Sequence, residues 1–158
     1  RFERYREKFQ FLRENSISTP EDMSAFQSRA EDALAGLMKQ RTILNAQKKR
    51  RRELYTALAD AEALAPAKDL YARGASGMEL EFARYMEAVA VLERCGIPRD
   101  RLLREKAELY ERVAEINRRI RAERKKLALC KEILGEEQEI QRTEERGKEV
   151  ERDERRRR

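Results

Sequence analysis

The chain has 158 residues, of which 43% are charged. Because an ordinary globular domain carries only about 25% charged residues, this composition excludes a thick hydrophobic core and favours an extended molecule built from paired helices. The 37 basic and 31 acidic residues leave a net charge of +6, which fits an anionic partner without requiring one.

The pattern of apolar residues predicts five helices in a chain with only three prolines and six glycines. Their expected bounds are about residues 2–14, 20–62, 66–73, 77–95 and 99–134. In the first helix, apolar residues recur at steps of three and four, and we expect them to pack against a neighbouring helix: Phe2, Tyr5, Phe9 and Leu12. Stacking of the aromatic rings on nucleic-acid bases is the alternative.

The second helix is expected to be long and similar to one strand of a coiled coil. Thr19 is a favourable N-cap, and Pro20 stands at the first helical position, where its missing N–H is not needed. Written in heptads, the helix is apolar at both ends, but its middle is polar at Gln40, Gln47 and Arg51. Such polar positions fix register either within one chain or between two chains, so a homo-oligomer stays open.

Proline and glycine set the expected ends of the later helices. Pro66 is expected to interrupt the long second helix, and Gly74 to end the short third helix. Ser76 and Glu79 match the spacing of a capping box at the start of the fourth helix. Gly135 is expected to end the last helix.

The segment after Gly135 mixes acids and bases and has only Ile140 and Val150 as aliphatic residues. Because it can bury too little surface to offset the entropy of ordering, residues 135–158 are expected to form a disordered charged tail. Residues 1–134 are expected to form a single elongated, all-α domain. Its predicted architecture is a long antiparallel coiled-coil hairpin with a small helical head at the tip. A three- or four-helix bundle is the competing fold.

The stretch NAQKKRRREL contains five consecutive cations, Lys48 to Arg52. If the hairpin turns between residues 62 and 99, this run lies opposite Leu109 to Val113. That part of the last helix carries acids three or four residues apart: Glu105, Glu108, Glu111 and Glu115. We interpret the run as a surface that sets register by pairing with these carboxylates. A nucleic-acid contact is the alternative.

A second group of cations has fewer acids nearby. In the same hairpin register, basic residues of the last helix lie opposite Lys39 and Arg41, which are also positive. A dense excess of one charge repels itself and attracts anions, either phosphates or an acidic protein surface. The predicted nucleic-acid-binding residues are Lys39, Arg41, Arg118, Arg119, Arg121, Arg124, Lys125 and Lys126. A solvated helix face is the simpler interpretation of the same residues.

The chain carries no pattern typical of an enzyme or a metal site. It has no histidine, which removes the usual general base and the commonest metal ligand. Cys95 and Cys130 form no Cys-x-x-Cys pair and are expected to be free thiols in a reducing, cytoplasmic compartment. No apolar run approaches the roughly 20 residues that cross a bilayer. We therefore expect no catalytic residue, no metal, no cofactor and no membrane contact.

Four stretches carry a resemblance to a known family. They are FQFLRENSISTPEDMSAFQSRAEDAL, QRTILNAQKKRRREL, AKDLYARGASGMELEFARYMEAVAVLERCGIP and EKAELYERVAEINRRIRAERKKLALCKEIL. In their order and pattern they resemble the C-terminal helical region of relaxases, the mobilisation nucleases of integrative and conjugative elements of Firmicutes. The likeness covers most of residues 5–134.

In that family, an N-terminal domain nicks one DNA strand with a tyrosine and a metal held by histidines. The resemblance implies that this chain is a non-catalytic segment of a longer protein, and it transfers the nucleophile role to none of the tyrosines. It further implies an accessory function, either holding DNA by its backbone or docking relaxosome or coupling proteins. A coiled-coil module for protein–protein interaction or dimerisation, without nucleic-acid binding, is the alternative function.

Overall fold

The computed structural model describes the whole chain, residues 1–158, and it contains helices and short connections only. The all-α prediction is confirmed. The five helices are α1 (Phe2–Glu14), α2 (Pro20–Arg50), α3 (Arg52–Ala72), α4 (Glu79–Cys95) and α5 (Arg99–Arg157). The chain divides into two compact units, which we call the first unit (Arg1–Met38 with Arg118–Arg158) and the second unit (Lys39–Asn117). The single elongated domain stays a prediction.

The long second helix of the prediction is divided at Arg51 and continues past Pro66. Arg51 keeps a near-helical backbone, with φ −92° and ψ −1°, and its amide still donates to the Gln47 carbonyl at 3.1 Å. The predicted break at Pro66 is wrong, because α3 runs through that proline to Ala72. A proline inside a helix costs about 3 kcal/mol, a price that packing along the helix can outweigh.

That packing is provided by α4, which lies beside α3 in the second unit. The Tyr71 and Phe82 rings are stacked with centroids 4.2 Å apart, and Lys68 Nζ lies 5.6 Å from the Tyr85 ring. From the first of these contacts to the second, the residue number falls in α3 and rises in α4, so the two helices are antiparallel. Buried residues of α3, α4 and α5 form the core of this unit: Tyr55, Ala57, Leu58, Ala61, Ala88, Leu92, Leu102 and Leu109.

The first unit packs α1 and the start of α2 against a later part of α5. Phe11, Ile17 and Met23 meet a set of buried α5 residues that comprises Leu129, Cys130 and Ile133. The Phe11 and Phe26 rings meet edge to face, with centroids 5.3 Å apart. This is the core that holds α1 in place.

The face of α1 that packs is not the predicted one. Phe2, Tyr5 and Phe9 are 81%, 61% and 67% exposed, so their predicted packing is wrong, whereas Lys8 and Phe11 are buried. Leu12 packs against the core as expected. The face of α1 that meets α5 carries Arg4 and Lys8 together with Phe11, and not the first aromatic residues.

Those cations form a network with two glutamates of α5. Arg4 Nε donates to Glu132 Oε1 at 3.1 Å, and Lys8 Nζ lies 3.1 Å from the same oxygen. Lys8 also donates to Glu136. The hydrogen bond to Glu136 raises the pKa of Lys8, and the hydrogen bond from Arg4 lowers the pKa of Glu132. Lys8 is therefore a buried charge with two carboxylate partners.

The local sequence predicts the cap correctly at some helix ends and wrongly at another. At the start of α2, the Asp22 amide donates to Thr19 Oγ1 at 3.1 Å, and the Thr19 amide donates to Asp22 Oδ2 at 3.2 Å, which confirms the predicted N-cap. Gly96 ends α4 in the left-handed conformation, with φ +68°. The predicted capping box of α4 is wrong: the N-cap is Met78 and no side chain caps the helix. Gly77, at φ +84°, turns the chain between the two members of that box.

The disordered tail and the stop at Gly135 are also wrong, because α5 continues unbroken to Arg157. Glutamate, arginine, lysine and glutamine are good helix formers, and no proline interrupts the segment. An established helix also propagates more easily than a new one starts. Acids precede bases by four residues at several positions of the helix, a favourable spacing: Glu144 with Lys148, Glu151 with Arg155 and Asp153 with Arg157.

Candidate nucleic-acid interface

Six of the predicted binding residues lie on one stretch of α5 in the first unit. Ile120 and Leu127 are buried there, at 1% and 9% exposure, and define the inner face of the helix. Arg121, Arg124 and Lys125 lie on exposed positions between these two residues. Three exposed cations therefore lie within about one turn of the helix.

The six α5 cations differ in whether a neighbouring group already interacts with them. Lys126 is half-buried, and its Nζ lies 3.2 Å from Glu123 Oε1, one turn earlier. Arg118 and Arg119 are exposed but engage other groups. No carboxylate lies within 4.0 Å of the charged groups of Arg121, Arg124 and Lys125. These three residues, which we call the α5 patch, are the part of the prediction that is available to an anion.

The remaining two predicted residues lie on α2 in the second unit. Lys39 is exposed and Arg41 is half-buried. Neither forms an ion pair. The eight residues are thus divided between the two units.

The basic run in NAQKKRRREL meets α5 a few residues before the predicted register. Arg51 Nη2 lies 3.1 Å from Glu105 Oε1, so one predicted carboxylate does pair with the run. Lys48 Nζ instead lies 4.4 Å from the centre of the Tyr110 ring, over its face. The other three cations, Lys49, Arg50 and Arg52, are exposed and have no ion pair. The prediction that most cations of the basic run form ion pairs with carboxylates of α5 is therefore wrong.

Two residues of α5, Lys106 and Tyr110, belong to this surface and were not predicted. Lys106 Nζ lies 5.7 Å from the Tyr110 ring centre and 5.9 Å from that of Tyr55. The available signal was a lysine four residues before a tyrosine on a helix, a spacing that places both on one face. A search for dense positive charge does not find it, because Lys106 stands between acidic neighbours in the sequence.

One tyrosine and one cysteine in the cores, Tyr55 and Cys130, have raised pKa values. Burial raises the pKa of Tyr55 to about 12, and the nearby Glu105 charge adds to the effect. Burial also raises the pKa of the Cys130 thiol. Both cysteines are free, and no group of three or more His, Cys, Asp or Glu residues is arranged to hold a metal ion.

None of the five helices carries an apolar stretch sufficient to cross a lipid bilayer. Comparisons with protein-family models, with curated proteins and with solved structures found no match. The relaxase resemblance therefore stays an expectation from the sequence.

Proposed function

We propose that the chain is a non-catalytic accessory domain of a conjugative relaxase, and that it binds DNA through the phosphate backbone without reading the base sequence. The observation that carries this proposal is the α5 patch, three neighbouring exposed cations without a carboxylate partner. Unanswered cations attract phosphates because each contact releases counterions from the DNA. Such contacts position a protein on DNA but carry no sequence information.

The proposal includes the finer expectations from the sequence. These are the antiparallel coiled-coil hairpin with a helical head, a cytoplasmic location, and docking to relaxosome or coupling proteins. In the second unit, Lys48 meets Tyr110 and Arg51 meets Glu105, so the chain around the end of α2 and the first part of α5 run in opposite directions, which supports the first. The two free thiols support the second.

The test is a titration of the chain with single- and double-stranded DNA, followed by fluorescence anisotropy. If the three cations of the α5 patch each neutralise one phosphate of duplex DNA, affinity should fall roughly forty-fold between about 50 and 200 mM salt. The triple charge reversal Arg121→Glu, Arg124→Glu and Lys125→Glu should weaken binding strongly at the higher salt concentration.

A matched control carries the same change in net charge on the same unit. Arg6, Arg13 and Lys131 are exposed and form no ion pair, so their replacement by glutamate should weaken binding only slightly. Circular dichroism checks that both variants stay helical. Absence of binding by the unaltered chain at low salt would refute the proposal, and equal losses in the two variants would move the site elsewhere.

A second candidate function is a protein-interaction module, favoured by the exposed aromatic residues of α1. Phe2, Tyr5 and Phe9 recur on one stretch of that helix and are more than half exposed. Large aromatic residues of this kind are enriched at protein interfaces. Association driven by them would resist added salt, whereas phosphate binding would not, so the same titration separates the two candidates.

A further inference from the structure

The second unit contains a basic groove outside the α5 patch. It encloses about 540 Å³ and takes its walls from the end of α2, the start of α3 and the first part of α5. Four cations line it: Lys48, Lys49, Arg52 and Lys106. Tyr55, Tyr110 and small or neutral polar residues complete the lining, and none of the lining residues is acidic. We call this the tyrosine groove.

Tyr110 gathers two of these cations in one place. Lys48 Nζ lies 4.4 Å and Lys106 Nζ 5.7 Å from the centre of its ring, and the residue is 42% exposed. The ring face attracts ammonium groups, and this attraction restrains long side chains that would otherwise sample many rotamers. Tyr55 supports the ring from the core, with the two centroids 6.2 Å apart. Both ammonium groups thus approach the same ring, in a groove whose lining has no acidic residue.

We propose that the tyrosine groove binds the phosphodiester backbone of a nucleic-acid strand, with Tyr110 as the positioning residue for Lys48 and Lys106. This inference rests on the proposed function and deepens it, because it assigns a second phosphate-binding surface on a different unit. Positive charges held together repel one another, and an anion relieves that repulsion. Arg52 adds a planar guanidinium, which can donate two hydrogen bonds to one phosphate.

The composition of the groove favours phosphates over an acidic protein segment. Asn45 and Thr56 also line it, and neutral side chains of this kind commonly donate to phosphate and sugar oxygens. Protein interfaces rely instead on a desolvated centre with an apolar or aromatic anchor in a pocket. Ala59 is the only aliphatic residue in the lining. Charge and hydrogen-bond donors therefore dominate this surface.

The first experiment measures the salt dependence of binding to a short single-stranded oligonucleotide. The variant Lys48→Gln, Lys49→Gln, Arg52→Gln removes three charges from the groove. Since each lost contact with single-stranded nucleic acid lowers the slope of log affinity against log salt by about 0.7, we expect the slope to fall by about 2. The matched control removes three exposed charges from the same unit, Arg73→Gln, Arg94→Gln, Arg99→Gln, and should leave the slope unchanged.

The second experiment tests the positioning role of Tyr110. Tyr110→Leu keeps an apolar side chain but removes the aromatic ring, and should weaken binding about two- to fivefold. Tyr110→Phe keeps the ring and should bind as the unaltered chain does. A purely structural role would make the two variants equal, provided that urea unfolding finds both equally stable. Equal binding by the two variants would therefore overturn the positioning role.

The outcomes separate the two proposals. If the unaltered chain binds no DNA at low salt, the proposed function fails and the groove assignment fails with it. If charge reversal of the α5 patch weakens binding but the groove variant keeps the slope of its control, only the groove assignment is overturned. A polyglutamate peptide that binds as tightly as an oligonucleotide of equal charge, and depends on the same three groove cations, would assign the groove to an acidic protein segment instead.

Discussion

At the scale of single residues, two glycines of this chain have different backbone conformations and should respond in opposite ways to substitution by alanine. Gly135 lies inside α5, and apart from the neighbouring backbone of the helix itself no atom comes within 4 Å of the position that a Cβ atom would take there. Because a glycine in a helix interior lowers stability relative to alanine, Gly135→Ala should raise the free energy of unfolding by roughly 0.5–1 kcal/mol. Urea unfolding followed by circular dichroism measures the change.

Gly96 provides the matched control for that substitution. It also has open space around its Cβ position, but its φ is +68°. An L side chain is strained in this conformation, so Gly96→Ala should lower the free energy of unfolding by about 1–2 kcal/mol. A loss of stability in Gly135→Ala would contradict the continuous α5 helix.

At the scale of helices, the sequence predicts features that depend on a few neighbouring residues. The Thr19 cap and the expected end of the fourth helix at residue 95 are confirmed. A hydroxyl at an N-cap and a left-handed glycine such as Gly96 both act within one turn. The same local rules predict helix ends at Pro66 and Gly135, and both predictions are wrong. There the outcome depends on packing along α3 and on propagation of α5, which local rules do not include.

The residues of the candidate surface likewise divide into those that the sequence predicts and those that it does not. Density of charge in the sequence is sufficient to find Arg121, Arg124 and Lys125. It does not find Lys106 and Tyr110, because their role depends on which residues of α2 and α3 lie opposite them. Charge density likewise cannot distinguish cations without an ion pair from Lys126, which pairs with Glu123.

The attachment of α1 leads to a prediction about pH. Because the folded pKa of Lys8 is raised, its contribution to stability is present below its unfolded pKa of about 10.4 and is lost as pH rises through the folded value. The folded pKa of Glu132 is lowered, so its contribution is present above an unfolded pKa of about 4.3 and is lost as pH falls through the folded value. Stability of the first unit should therefore fall at both extremes of pH.

Substitution of Lys8 isolates the alkaline part of this profile. Lys8→Met should be less stable than the unaltered chain at neutral pH, because it leaves Glu132 and Glu136 with one cation fewer. The difference in urea midpoint should shrink as pH rises above about 10.4, where lysine loses its charge. Lys131→Met removes an exposed lysine without an ion pair and should show no such trend. A Lys8→Met difference that is constant with pH would show that packing, and not charge, gives Lys8 its effect.

At the scale of the whole molecule, the buried apolar residues form separate clusters rather than one continuous core. One cluster contains Leu102, which is fully buried, and another contains Ile133. Of the residues, 43% are charged and 40% hydrophobic. The buried apolar residues group where helices meet. Stability should therefore be distributed between independent sites.

Double substitution tests that independence. Leu102→Ala should cost about 2–5 kcal/mol of unfolding free energy and Ile133→Val about 0.5–1.5 kcal/mol, since each removes packed methyl groups. Because the two residues share no cluster, the loss in the double variant should equal the sum within about 0.5 kcal/mol. Leu102→Ala combined with Leu92→Val, within one cluster, should depart from additivity by more than that amount. Strong coupling between Leu102 and Ile133 would mean that the two clusters respond as one core, and the free energies would then have to be assigned to the chain as a whole.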